Sequence, residues 1–214
     1  MRRAFALVAS LLLGLSCSLD QKLPDKQRFI LVVEAPQPPT DPGGGGVLRV
    51  HRFRASPVFE RKSLVYRTAK DKFVEDFYNE LYAPPGVLVR EITARYLRDA
   101  GIFEVVLEPN DPRRADWLLE GRIENLYADK QDTSRTEVIL DVEFTLVDEN
   151  SPELDVVFAR MYAEQGVAAS ASAEDIVRGL TANLRRILER LAQDLHDQVE
   201  NTGSDPGIDA EAAS

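Results

Sequence analysis

Between Asp116 and Ala163 the chain alternates, apolar then polar, in three successive segments. Trp117, Leu119, Gly121 and Ile123 share one face of the first. Val138, Leu140, Val142, Phe144 and Leu146 share one face of the second, opposite Asp141 and Glu143, and Val156 to Ala163 forms the third. A period of two marks strands buried on one side only. Polar turns at Asp129–Ser134 and Asp148–Glu153 join them, which predicts an antiparallel meander. A sheet with one apolar face needs a covering layer, and the next segment supplies it. Ser172 and Asp175 form a capping box, and Ile176, Leu180, Leu184, Ile187, Leu191, Leu195 and Val199 then recur at helical spacing.

The first half of the chain is less regular. Phe29 to Val33 is a continuous run of branched and aromatic side chains, the pattern of a strand covered on both faces, and so is placed centrally in the sheet. Pro36 to Gly46 is a loop, and its four glycines lack the following Lys-Ser or Lys-Thr of a phosphate cradle. Val47 to Phe53 reads as a second strand, Pro57 to Phe59 as an exposed connection, and Leu64 to Arg67 as a short strand. The stretch Phe73 to Tyr82, with Phe73, Phe77, Tyr78 and Tyr82, reads as a strand or an irregular lip. Its aromatics fit either core packing or a contact surface. Pro84-Pro85-Gly86 opens a helix carrying Leu88, Ile92, Tyr96 and Leu97 and stopped by Gly101, after which Ile102 to Leu107 returns as a strand. The expectation is a single α/β (α+β) domain over residues 28–200: a mixed sheet of about six strands with an antiparallel meander, packed by two main helices. Residues 201–214 are expected to be a disordered tail.

At the other end, Arg2 and Arg3 precede an apolar run from Ala4 to Leu15, broken only by Ser10. A membrane span needs about 20 apolar residues, so this run is an export signal. It ends at Cys17, the chain's one cysteine. Small Ser16 before it and aliphatic Leu13 and Leu15 upstream resemble the lipobox of bacterial lipoproteins, with Gly14 where leucine is commonest. The resemblance implies that residues 1–16 are removed and that Cys17 carries a covalent diacylglycerol and an N-acyl chain. Residues 17–27 would then serve as lipidated anchor and tether. Ser18, in place of a retention aspartate, implies an outer-membrane lipoprotein facing the periplasm. An ordinary secretory signal cut near Ser16 or Ser18 is the rival reading.

The net charge of -10 becomes -12 once Arg2 and Arg3 are lost, which argues against nucleic acid or anionic headgroups as partners, since both would need a basic face. Only His51 and His196 could offer imidazole to a metal, and their separation gives no zinc-site spacing, so no metal is expected. No GxSxG nucleophile is present. Glu120, Glu124, Asp141 and Glu143 fall on the polar phase of the strands and read as a solvated sheet face rather than a glycosidase pair. No enzyme activity is expected, and no cofactor beyond the acyl chains on Cys17.

The block Val50-His51-Arg52-Phe53, Pro57, and Leu64-Val65-Tyr66-Arg67 is followed by Leu81-Tyr82-Ala83-Pro84-Pro85, Trp117-Leu118-Leu119-Glu120-Gly121-Arg122-Ile123 and the late helix. In this order the elements resemble the ABC-type transport auxiliary lipoproteins, the family of paraquat-inducible protein C, with Tyr82 where tryptophan is frequent. The resemblance implies a non-catalytic subunit of an MCE-type system that moves lipids or other hydrophobic molecules across the envelope. Its implied partners are an MCE-domain protein with its ABC permease and ATPase, with a homo-oligomer possible. Phe59, Tyr78 and Tyr82, aromatics near prolines, are the candidate partner contacts. The alternative is an envelope scaffold or regulatory lipoprotein with no part in transport.

Overall fold

In chain order the strands and helices are β1 (Gln27–Phe29), β2 (Val47–Val50), β3 (Arg54–Ala55), β4 (Ser63–Ala69), β5 (Lys72–Leu81), α1 (Pro85–Ala100), β6 (Val105–Leu107), β7 (Trp117–Asp129), β8 (Glu137–Asp148), β9 (Val156–Val167) and α2 (Ala173–Gly203). The computed structural model describes residues 25–34, 36 and 43–203. The export signal, Cys17, most of the tether and the chain beyond 203 lie outside the described residues.

β7 is the spine. Along one side it pairs antiparallel with β8 from Trp117↔Asp148 to Asp129↔Glu137, and β8 pairs antiparallel with β9, which gives the expected meander. Along its other side β7 takes three short strands laid end to end, all parallel to it: β2 at 117–119, β3 at 122–123 and β4 at 128–129. β6 adds outside β2, while β5 and then β1 add outside β4. The sheet therefore has nine strands rather than about six. The excess includes β3, two residues just past the Val47–Phe53 stretch and too short for a periodic pattern to register, and β5, whose stretch fitted a strand or an irregular lip.

The Phe29–Val33 run is not a central strand. Pairing stops at Phe29, and β1 lies at the sheet edge, parallel to β5. Beyond it Leu31 and Val33 are buried, and Arg95 of α1 donates to the Val33 carbonyl at 3.3 Å, while Ile30 and Val32 are each 58% exposed. An unbroken apolar run fits burial on both sides, but here the inward half packs and the outward half faces solvent.

Both helices lie on one face of the sheet. Ile176, Leu180, Leu184, Ile187, Leu191 and Leu195 of α2 are fully buried, as are the inward Val138, Leu140, Val142, Phe144 and Leu146 of β8. Ser172 caps α2 by accepting the Asp175 amide at 3.2 Å, while the Asp175 carboxylate takes the Ser170 hydroxyl at 2.6 Å. The helix runs on to Gly203, past the point where a tail was expected. α1 ends as its sequence predicts, at Gly101 with φ 65°, and the Gly101 amide donates to the Arg98 carbonyl.

Candidate interaction face

With both helices on one side, the opposite face of the sheet is covered by neither, and it divides into a charged half and an aromatic half. Outward positions of β7 and β8 alternate with the buried ones, so the register that fills the core also lines up the polar side chains here. His51 Nδ1 lies 3.4 Å from Glu120. Glu124 accepts from Ser56 at 2.9 Å and pairs with Arg122 at 2.5 Å, and Asp141 accepts from Asn125 at 2.7 Å. Glu120, Glu143, Arg54, Arg122 and Arg52 line an open cleft of about 380 Å³. Among the described residues neither the Arg52 nor the Arg54 side chain has a hydrogen-bonded or ion-paired partner. A second cleft of about 580 Å³ lies between Arg54 and the start of α1, beside Val87 and Arg90.

Toward the far end of β7 the face becomes aromatic. Phe59 stacks on Tyr127 at 5.9 Å, and Phe73 meets both rings edge-on at 6.0 and 5.3 Å. Arg67 lies over the Tyr127 ring at 5.1 Å and pairs with Asp129. Phe59, at 4% exposure, and Tyr127, at 8%, are thus buried against each other, and the segment between β3 and β4 covers this end of the face.

Beyond this cluster, pairing between β4 and β5 jumps from Val65↔Glu75 to Ser63↔Glu80. The extra residues of β5 form a bulge built around Asp76. Its carboxylate accepts the Tyr78 amide at 2.8 Å, the Asn79 amide at 3.0 Å, the Asn79 side chain at 2.8 Å and the Tyr66 hydroxyl at 2.7 Å. Burial alone would raise the Asp76 pKa, but these donors outweigh it and hold the carboxyl below its ordinary value. The Tyr66 hydroxyl is pushed up, by burial first and then by its bond to Asp76. The bulge projects Phe77, 69% exposed, with half-buried Tyr78 edge-on to it at 5.2 Å. Tyr82, 64% exposed, follows β5. Of the three candidate contacts, Tyr82 is open to solvent, Tyr78 partly so and Phe59 hardly at all. Phe77 belongs to the aromatic stretch that fits either core packing or a contact surface, though not to the three candidate contacts, and nothing in the sequence pattern marks Ile30 and Val32 as contacts. The signal for Phe77 was Asp76 and Asn79 set inside an aromatic strand, residue types that favour local turns.

Among the described residues no group of three or more His, Cys, Asp or Glu side chains could hold a metal ion. No helix among them is long and apolar enough to cross a membrane.

Protein XCC0632 from Xanthomonas campestris, a representative of family DUF330, superposes with a TM-score of 0.74 at 14% identity, covering 84% of this chain and 99% of its own. An uncharacterised protein superposes at 0.61 with 12% identity, over 80% of this chain and 99% of its own. At these identities both likenesses establish the fold alone. No curated protein sequence matches the chain. The family comparison overturns the resemblance to the ABC-type transport auxiliary lipoproteins, and with it the MCE-domain protein, permease and ATPase as partners and trafficking by an MCE system as function. Residues 70–199, well over half the chain, match the model of a different family. The chain belongs to LptE, the lipopolysaccharide-assembly family, whose members are outer-membrane lipoproteins of the cell envelope.

Proposed function

We propose that this protein is a non-catalytic assembly partner in lipopolysaccharide delivery, tethered through acyl chains on Cys17. Its helix-free sheet face docks on the translocon subunit LptD in the outer membrane. The observation that carries this reading is the family match over 70–199, which takes in β5 through β9 and nearly all of α2. The outward residues of β7 and β8 lie within that span and are covered by neither helix. A surface of alternating charges with an aromatic end suits a stable docking contact, because charge pattern sets register and desolvated rings contribute affinity. Arg52 and Arg54, which have no hydrogen-bonded or ion-paired partner among the described residues, offer their charges to an outside partner.

Photo-crosslinking in cells tests this directly. A photoreactive residue at Arg122 or Glu143 is expected to capture LptD, whereas one at Arg185 on the solvent side of α2 is not. The paired charge reversal Arg54→Glu with Arg122→Glu should lower co-purification of the translocon and increase outer-membrane permeability. Capture of other envelope proteins from Arg122 and Glu143, with no translocon subunit recovered, would overturn the reading.

A further inference from the structure

We propose that the lip formed by Ile30, Val32, Phe77 and Tyr82 seats on the lipid surface of the leaflet that holds the acyl anchor, as a second, non-covalent membrane contact. This rests on the protein being lipid-anchored, and is independent of which protein its sheet face docks. β1 and β5 run parallel in register Arg28↔Glu80, so the positions that follow, Ile30 and Tyr82, project to the same helix-free side. Each of the four lip residues is more than half exposed, at 58, 58, 69 and 64%. Phe77 stands on a bulge pinned by the four hydrogen bonds to Asp76, so its projection is built into the fold rather than the result of a frayed strand.

The path of the chain selects the occupant. If Cys17 carries the acyl chains, the residues from 18 to 24 span at most about 25 Å when extended. They enter the domain at Asp25, and the next residue, Lys26, places its ammonium 4.6 Å from the centre of the Phe77 ring. The anchor therefore delivers the lip, not β9 or α2, to the bilayer. Lys26 and Arg28 share the one carboxylate of Glu80, at 3.5 and 2.9 Å, which leaves this trio a single net positive charge within an acidic protein. Apolar and aromatic side chains with amphipathic lysine and arginine stems at the margin match the headgroup–acyl boundary. With a single net charge in this trio, insertion rather than attraction to anionic lipid supplies most of the contact, and salt should affect it little.

The test uses the chain from Cys17 onward, produced without its leader so that the thiol is unacylated, and carrying Phe77→Trp. Mixed with phosphatidylethanolamine–phosphatidylglycerol vesicles, the added indole is expected to shift to shorter wavelength and to be quenched by brominated acyl chains, in low and high salt alike. An Arg185→Trp control on α2 should do neither. Tyr82→Ser with Phe77→Asp, shown to be folded by circular dichroism, should reduce vesicle partitioning about tenfold or more. An unshifted indole at position 77 in a folded protein overturns the proposal. So does an indole that shifts only when LptD is added without lipid, which would assign the lip to the protein interface. Neither result bears on capture of LptD from Arg122, so the two readings fail separately.

Discussion

Gly121 shows how closely a single position can set the packing of the core face of this sheet. A β-carbon there would lie 2.7 Å from the Phe53 ring, which in turn meets Phe144 edge-on at 5.7 Å. Phe53 sits in the gap between β2 and β3 and fills the space that Gly121 leaves. Gly121→Ala is expected to cost about 2 kcal/mol by forcing that ring off its rotamer, measured as a lower urea midpoint with an unchanged slope. Pairing it with Phe53→Leu should recover part of the loss. Asp76 carries the second prediction at this scale. Its folded pKa lies below the ordinary 3.8, so its contribution to stability is complete above that value and is lost as the pH falls through the depressed one. Amide resonances of Tyr78 and Asn79 should therefore titrate together on acidification, and in Asp76→Asn that titration should vanish. The roles of Gly121 and Asp76 both depend on partners distant in sequence or on an irregular pairing. Neither can be read from local pattern.

At the scale of elements, legibility followed regularity. The meander and α2 each repeat one period for many residues, so their buried sets, from Val138 to Leu146 and from Ile176 to Leu195, are those the spacing predicts. The Phe29–Val33 run failed because burial on two sides and burial on one side look alike when every residue is apolar. The tie between α2 and the meander was not legible at all. Asn183 is fully buried, donates to the carbonyls of Val138 at 2.9 Å and Glu164 at 3.2 Å, and accepts from Arg186 at 2.5 Å. A polar residue on an apolar stripe gives no hint of which carbonyls it meets, because these belong to β8 and β9. Asn183→Ala should cost about 2 kcal/mol in urea unfolding, since it removes bonds in a buried setting and leaves the Arg186 contact unmade. Glu164 still pairs with Arg186 and Arg190, each at 2.6 Å, but these pairs are partly exposed and offset little.

Across the whole molecule the sheet is uneven, and that unevenness links the docking face to the lip. β7 and β8 are paired on both edges and covered by helices, whereas β5 is interrupted by its bulge and is flanked on its outer side only by the three residues of β1. Local opening free energy follows such differences in pairing and burial. Native-state hydrogen exchange should accordingly find the slowest amides in 117–129 and 137–148, exchanging only with global unfolding. Residues 72–79 should exchange through a smaller, denaturant-insensitive opening. Seating the lip on vesicles should then slow exchange in 72–82 while leaving 117–129 as it was, because the bilayer adds cover at the weakly held margin and nothing at the spine. Docking of a protein on the charged half should do the converse, slowing the exposed ends of β7 and β8 with little change at Phe77. Equal protection throughout the free protein would mean that the bulged margin folds as one unit with the spine. In that case the lip could not yield locally to fit a membrane and would have to meet it as a rigid edge.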